Sequence, residues 1–156
     1  MCVEGWASFG GSCYSHLGSG SHWQCEARCR AANSSLTCNA GQSDSEFIRS
    51  NFFDATTAFW TGKYQSDMAT NIEWDGIADE GWNGWTAEGC NSTFVNWRDD
   101  EPNDYMGASE DCAFFGSVPA VGMYYDTRWA DGACSASFGC LCQSPASTAP
   151  AYLAWL

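Results

Sequence analysis

Apolar and polar positions alternate at helical spacing between residues 43 and 54. Ser43 and Ser45 stand where a cap is needed, Glu46, Phe47 and Ile48 follow, and Phe52 completes an apolar face. This predicts a helix over 43–54 capped by one of the two serines. A preceding helix is predicted over 23–33, with Ser21 placed to cap it and Glu26, Ala27, Arg28 and Arg30 favouring it. Cys25 and Cys29 are four apart and so fall on one face of that helix. Residues 2–14 read as a short hairpin in which Trp6 and Phe9 punctuate a Gly-rich turn, with Cys2 and Cys13 at a distance a hairpin can close. Ala58, Phe59, Trp60, Thr61 and Gly62 read as a buried strand, and strands return at 111–115, 123–126 and 138–142. Between 63 and 111 the chain is rich in Gly, Asp, Asn and Trp and shows little periodicity. A loop of that length is functional or tied down. The order of hairpin, helices, long loop and returning strands predicts an α+β domain over 1–143. From Ser144 a Pro/Ala/Ser linker leads into an apolar tail over 151–156.

Composition sharpens this picture. Hydrophobic residues make up 45% of the 156 and aromatics 15%, too apolar for a disordered chain. The net charge is −13 and Lys63 is the sole lysine, a balance that excludes phosphate-backbone binding and suits divalent cations. The ten cysteines include no Cys-x-x-Cys repeat, which argues for a disulfide framework rather than zinc. An oxidising, extracellular setting follows as the expectation, with any secretory leader lying outside this stretch, since no basic and apolar leader pattern follows Met1. No stretch is long enough to span a bilayer. The triplets at Asn33 and Asn91 are glycosylation sequons and point weakly the same way.

Carboxylates and amides cluster around one proline in Trp97-Arg98-Asp99-Asp100-Glu101-Pro102-Asn103-Asp104. Glu110-Asp111-Cys112 and Trp129-Ala130-Asp131-Gly132-Ala133-Cys134 follow. These are the hard oxygen ligands that Ca²⁺ takes, and a coordination position left open among them can accept two hydroxyls of a sugar. Asp99 and Asp100 are expected to be solvated rather than ligating. His16 and His22 are expected at the surface, and Trp82 and Trp85 in the core rather than stacked on a sugar. Glu110 with Asp131 could be read as a glycosidase carboxylate pair, but no acid in an apolar slot accompanies them. With the cysteines consumed in bridges, no nucleophile arrangement stands out either, so no catalytic residue is assigned.

Taken together, these landmarks resemble the long form of the C-type lectin-like domain over about residues 2–143. Cys2 to Tyr14 is similar to that form's extra hairpin, and Trp23 with Cys29 to the start of its first helix. Phe59-Trp60-Thr61-Gly62 resembles its core strand motif, and residues 89–97 resemble the run entering its long loop. Glu101-Pro102-Asn103 is similar to its mannose-type motif. Glu110-Asp111-Cys112, Trp129-Ala130-Asp131 and the spacing of Cys134 and Cys142 complete the likeness. The resemblance implies two helices on small antiparallel sheets and the bridges Cys2–Cys13, Cys29–Cys142 and Cys112–Cys134. Cys25, Cys38, Cys90 and Cys140 then allow three connectivities. Cys25–Cys140 with Cys38–Cys90 is favoured, because Cys140 and Cys142 share a strand face and Cys25 lies a turn before Cys29.

The resemblance further implies a calcium-dependent lectin of mannose, glucose or fucose type. Pro102 would be cis, and Glu101, Asn103, Glu110 and Asp131 would hold both Ca²⁺ and sugar. Asp104 and Asp111 would contribute to the metal set through a second site. Glu101 would accept a hydrogen bond from one sugar hydroxyl while Asn103 donates to the next. One position departs from the pattern: the family motif has Asn after the tryptophan where this chain has Ala130. The loss of one oxygen weakens the expected Ca²⁺ site unless water or a neighbour such as Asp126 replaces it. The alternative is the same fold used as a structural, assembly or protein-binding module, or for ice, with the apolar tail docking on another surface or joining copies in a homo-oligomer.

Overall fold

The computed structural model describes residues 1–65, the backbone of 85–87, and residues 94–103 and 111–147. The chain opens with β1 (Ala7–Phe9) and β2 (Ser12–Gly20), then α1 (His22–Ala31), β3 (Ser35–Leu36) and α2 (Gln42–Phe52). It continues through β4 (Ala58–Gln65), β5 (Trp85–Ala87), β6 (Cys112–Val118), β7 (Met123–Gly132) and β8 (Phe138–Pro145). The strands join in one eight-stranded sheet ordered β1-β2-β8-β4-β6-β7, with β3 on β8 and β5 on β4. Pairing is antiparallel except between β4 and β8, which run parallel. The expected elements form with shifted ends. β7 extends six residues past the expected end at 126 to Gly132, and β8 continues to Pro145, whose partner is Ser12. Met1 and Ser147 exchange backbone hydrogen bonds, so the described ends of the chain meet. No described helix is long and apolar enough to cross a membrane.

Each face of the sheet carries its own core. Under α1 lie Cys25, Cys29, Leu36, Trp60, Phe114, Met123, Ala130, Cys140 and Cys142. Under α2 lie Tyr14, Ile48, Phe59, Phe115, Trp129 and Leu141, with Phe9, Phe47, Phe52 and Phe53 packed around them. The helices are attached by different means. α2 presents an apolar stripe centred on Ile48. α1 has none: its buried residues are His22, Cys25 and Cys29, and Trp23 points out. Disulfides fasten it instead, Cys25 to Cys140 and Cys29 to Cys142. Cys2–Cys13 closes the hairpin and Cys112–Cys134 ties β6 to the turn after β7. Cys38 is also disulfide-bonded, while Cys90 lies outside the described residues.

Ser21 caps α1 in a complete capping box with Gln24. The cap of α2 differs from expectation: it is Gly41, with no side-chain bond. Ser45 is buried a turn inside, where its hydroxyl donates to Asn39 Oδ1 at 2.6 Å, and Asp44 supplies the acidic group favoured in a first turn.

At the far end of the β4–β6 pairing, Gly116 has φ +111°. A Cβ there would lie 2.8 Å from the Thr57 carbonyl oxygen and 3.1 Å from Ala58 Cα. Gly116→Ala is therefore expected to cost about 1–3 kcal/mol, readable as a lower midpoint in urea. An unchanged midpoint would show that this pairing relaxes freely.

Candidate functional site

The site is built outward from Trp129. This side chain is fully buried, edge-on to Trp97 (5.6 Å between ring centroids) and Phe94 (5.8 Å). The backbone beside it zips residues 96–98 onto β7. Trp129 N donates to the Asn96 carbonyl at 2.7 Å, and Arg98 N to the Trp129 carbonyl at 2.9 Å. The Asn96 side chain adds a bond to the Thr127 carbonyl at 2.9 Å. The chain then turns: Asp100 sits at φ +66°, a region Asp tolerates better than most residues, and Glu101 N bonds back to the Arg98 carbonyl. Asp99 and Asp100 are exposed in this turn.

The Glu101–Pro102 bond is cis and Pro102 is buried. Past it, Asn103 N donates to both oxygens of Asp131 at 3.1 Å, and Asn103 Nδ2 donates to Glu101 Oε1 at 3.1 Å. Asn103 thereby joins the carboxylates of Glu101 and Asp131 from two distant stretches of chain. Asp131 is 4% exposed, whereas Asn103 is open to solvent. Glu101, Asn103, Ala130 and Asp131 share the wall of a cavity of about 570 Å³.

Glu110 and Asp104 fall outside the described residues, as do Trp82 and the sequon at Asn91; Asp111 stands half-buried just before β6. Among the described residues no three His, Cys, Asp or Glu side chains gather as a metal cluster. The described oxygen donors at this point are Glu101, Asp131 and the Asn103 amide. Their chemistry suits Ca²⁺, which takes carboxylate and amide oxygens. Asp126 does not stand in for the oxygen absent at position 130. Arg98 holds it at 3.1 Å and Arg128 at 3.2 Å, near the opposite end of β7. Ala130 itself is 5% exposed and faces the core beneath α1.

Two titratable groups escape a reading by sequence. Lys63 is fully buried; its ammonium donates to the carbonyls of Cys38 (2.6 Å) and Asn39 (3.3 Å) and lies 3.6 Å above the Trp129 ring. Burial pushes its pKa down to about 6, while the carbonyls and the ring face favour the cation. It pins the chain before α2 to the tryptophan on which the site is built. His16 lies at the surface, but His22 does not: it is packed edge-on to Trp60, with Nε2 2.8 Å from the Thr61 carbonyl. Burial lowers its pKa. Its place as the first residue of α1, facing the sheet, overrides the usual exposure of histidine.

Comparison with known proteins bears on the fold and the family. Residues 19–144 match the family model described as the lectin C-type domain. The carbohydrate-recognition domain of the mouse scavenger receptor C-type lectin is 18% identical, with a TM-score of 0.72, over 94% of this chain and 100% of that one. A calcium-independent type II antifreeze protein is 19% identical at a TM-score of 0.72, over 94% of this chain and 96% of its own. The corresponding domain of cow CD23, crystallised with a GlcNAc2Man3 oligosaccharide, is 18% identical at 0.71, over 94% and 98%. These likenesses show the fold alone; the match over residues 19–144 shows the family, and the chain belongs to the lectin C-type domain family.

Proposed function

We propose that the protein is a calcium-dependent lectin that binds sugars of the mannose, glucose or fucose type through Glu101, Asn103 and Asp131. One observation carries this reading. Asn103, beyond the cis bond to Pro102, gathers the carboxylates of Glu101 and Asp131 into one set of oxygens at the edge of a cavity. Bound Ca²⁺ would supply a centre for two neighbouring hydroxyls. Glu101 accepts a hydrogen bond from one hydroxyl and the Asn103 amide donates one to the other, which fixes the orientation of the pair. Glu110 completes the set in this reading, and Asp104 with Asp111 forms a second Ca²⁺ site. Its carbohydrate-binding relatives support the proposal, the cow CD23 domain being one solved with a mannose-containing oligosaccharide.

The disulfides support an extracellular setting, and the exposed Asn33 could carry a glycan there. The alternative, a module for assembly or protein contact, draws on Ala130, which removes one oxygen, and on the calcium-independent relative. In that case the tail beyond residue 147 would join copies or partners.

A calorimetric Ca²⁺ titration followed by methyl α-mannoside separates the two. The lectin reading expects Ca²⁺ binding that weakens as carboxylates protonate at low pH, and mannoside heat that disappears with a chelator. Ca²⁺ heat with no mannoside heat supports the alternative.

A further inference from the structure

The cavity that begins at Glu101, Asn103 and Asp131 continues well beyond them. Its volume of about 570 Å³ lies within the roughly 300–1,000 Å³ typical of small-ligand sites. Apart from Glu101, Asn103, Asp131 and Arg98, its described lining is apolar. Met123 and Ala130 of β7 line it with Phe114 and Phe138, whose ring centroids are 4.6 Å apart. Small residues keep the wall low: a Cβ on Gly132 would come within 2.8 Å of the Phe114 ring. Val121, 64% exposed at the tip of the β6–β7 hairpin, forms the outer lip. Val118, Ala136 and Phe138 are only partly buried and pack against the core beneath α1, so the groove is where that core meets solvent.

Among the described lining residues, Glu101, Asn103 and Asp131 offer partners to hydroxyls, while Phe114, Val118, Val121, Met123, Ala136 and Phe138 offer contact to hydrocarbon. A single molecule that suits both must carry a polyhydroxylated head and an apolar chain. Charge narrows the head further. The protein's net charge of −13 disfavours an anionic headgroup. Arg98, also in the lining, is paired with Asp126 at 3.1 Å and offers an anion little.

We infer that the groove holds the alkyl chain of a neutral glycolipid whose sugar sits against Glu101, Asn103 and Asp131, an inference that rests on the sugar-binding reading above. Ala130 is central to it. The methyl group that weakens the metal set also joins the polar end to the apolar wall, where a larger polar side chain would divide them.

The test is calorimetry in Ca²⁺ with methyl α-mannoside, octyl α-mannoside below its micelle concentration, and octyl glycerol, on the wild type and on Val121→Asp and Ala136→Phe. Burying a methylene is worth up to about four-fold in affinity. Octyl α-mannoside should therefore bind at least about ten-fold more tightly than the methyl glycoside. Val121→Asp and Ala136→Phe should remove that gain while leaving methyl mannoside binding unchanged. Equal affinities for the two mannosides would overturn the groove and leave the sugar reading standing. Octyl glycerol binding as tightly as octyl mannoside in chelator would overturn the glycolipid assignment, and the sugar reading would then stand or fall on methyl mannoside alone. Binding of none of the probes would overturn both.

Discussion

Removing both bridges that fasten α1 should abolish cooperative folding, whereas removing either alone should leave a folded protein with a lower melting temperature. Cys29–Cys142 and Cys25–Cys140 join residues 113 and 115 apart. Closing a loop of about 100 residues is worth up to about 4.7 kcal/mol in the chain-entropy account. A whole domain is stable by only about 5–15 kcal/mol. The two contributions overlap, because each bridge already closes nearly the loop that the other does. Losing one therefore costs part of that figure, and losing the second costs most of the remainder. The loss is compounded by the composition of α1. With His22, Cys25 and Cys29 as its buried residues, the helix has no apolar stripe to keep it docked once the sulfurs are gone. Cys→Ala pairs at 25/140 and 29/142, and the quadruple variant, should be compared by thermal circular dichroism. A quadruple variant melting within a few degrees of the wild type would show that the sheet holds without its helix.

Much of this architecture was legible because its signals are local. Ser21 ahead of Glu26, Ala27, Arg28 and Arg30 marks α1, and the spacing of Glu46, Phe47, Ile48 and Phe52 marks α2. The contiguous run Glu101-Pro102-Asn103 carried the candidate site. Features set by tertiary contact were not legible. β3 has two residues, too few for any period, and exists because Leu36 pairs with Cys142. Gly41 caps α2 without a side chain because Ser45 is drawn inward to Asn39. Nothing around Lys63 in sequence announces a buried ammonium, since its partners Cys38, Asn39 and Trp129 are brought to it by the fold. Asp126 is near Asp131 in sequence but is claimed by Arg98, a residue from within the long stretch between 63 and 111. The apolar groove draws on β6, β7 and the turn before β8, which no single window of sequence contains.

Asp131→Asn should weaken Ca²⁺ binding by about 10–100-fold or more, and Ala130→Asn should strengthen it. At position 131 the substitution removes the charge and one of the two oxygens that accept from Asn103 N, so the turn beyond Pro102 loosens as the metal set weakens. Glu101→Gln should act in the same direction through the oxygen that receives Asn103 Nδ2. Asp99→Asn, in an exposed turn, should change nothing, and equal losses from all three would mean diffuse acidity rather than a site. Ala130→Asn adds an amide oxygen to a wall shared with Glu101, Asn103 and Asp131. Without metal that amide sits against Phe114 and Met123, where an unpaired polar group costs about 1–3 kcal/mol. The variant should therefore melt below the wild type in chelator and regain that loss in Ca²⁺, because a ligand bound only by the folded state stabilises it. Methyl mannoside affinity should rise along with that of Ca²⁺, since linked equilibria shift reciprocally. The gain from an octyl chain should shrink in the same variant, because the new side chain stands between the polar end and the groove. Tighter Ca²⁺ without any monosaccharide binding would make the ion structural and favour the assembly reading. No change in either would mean that position 130 does not face the metal.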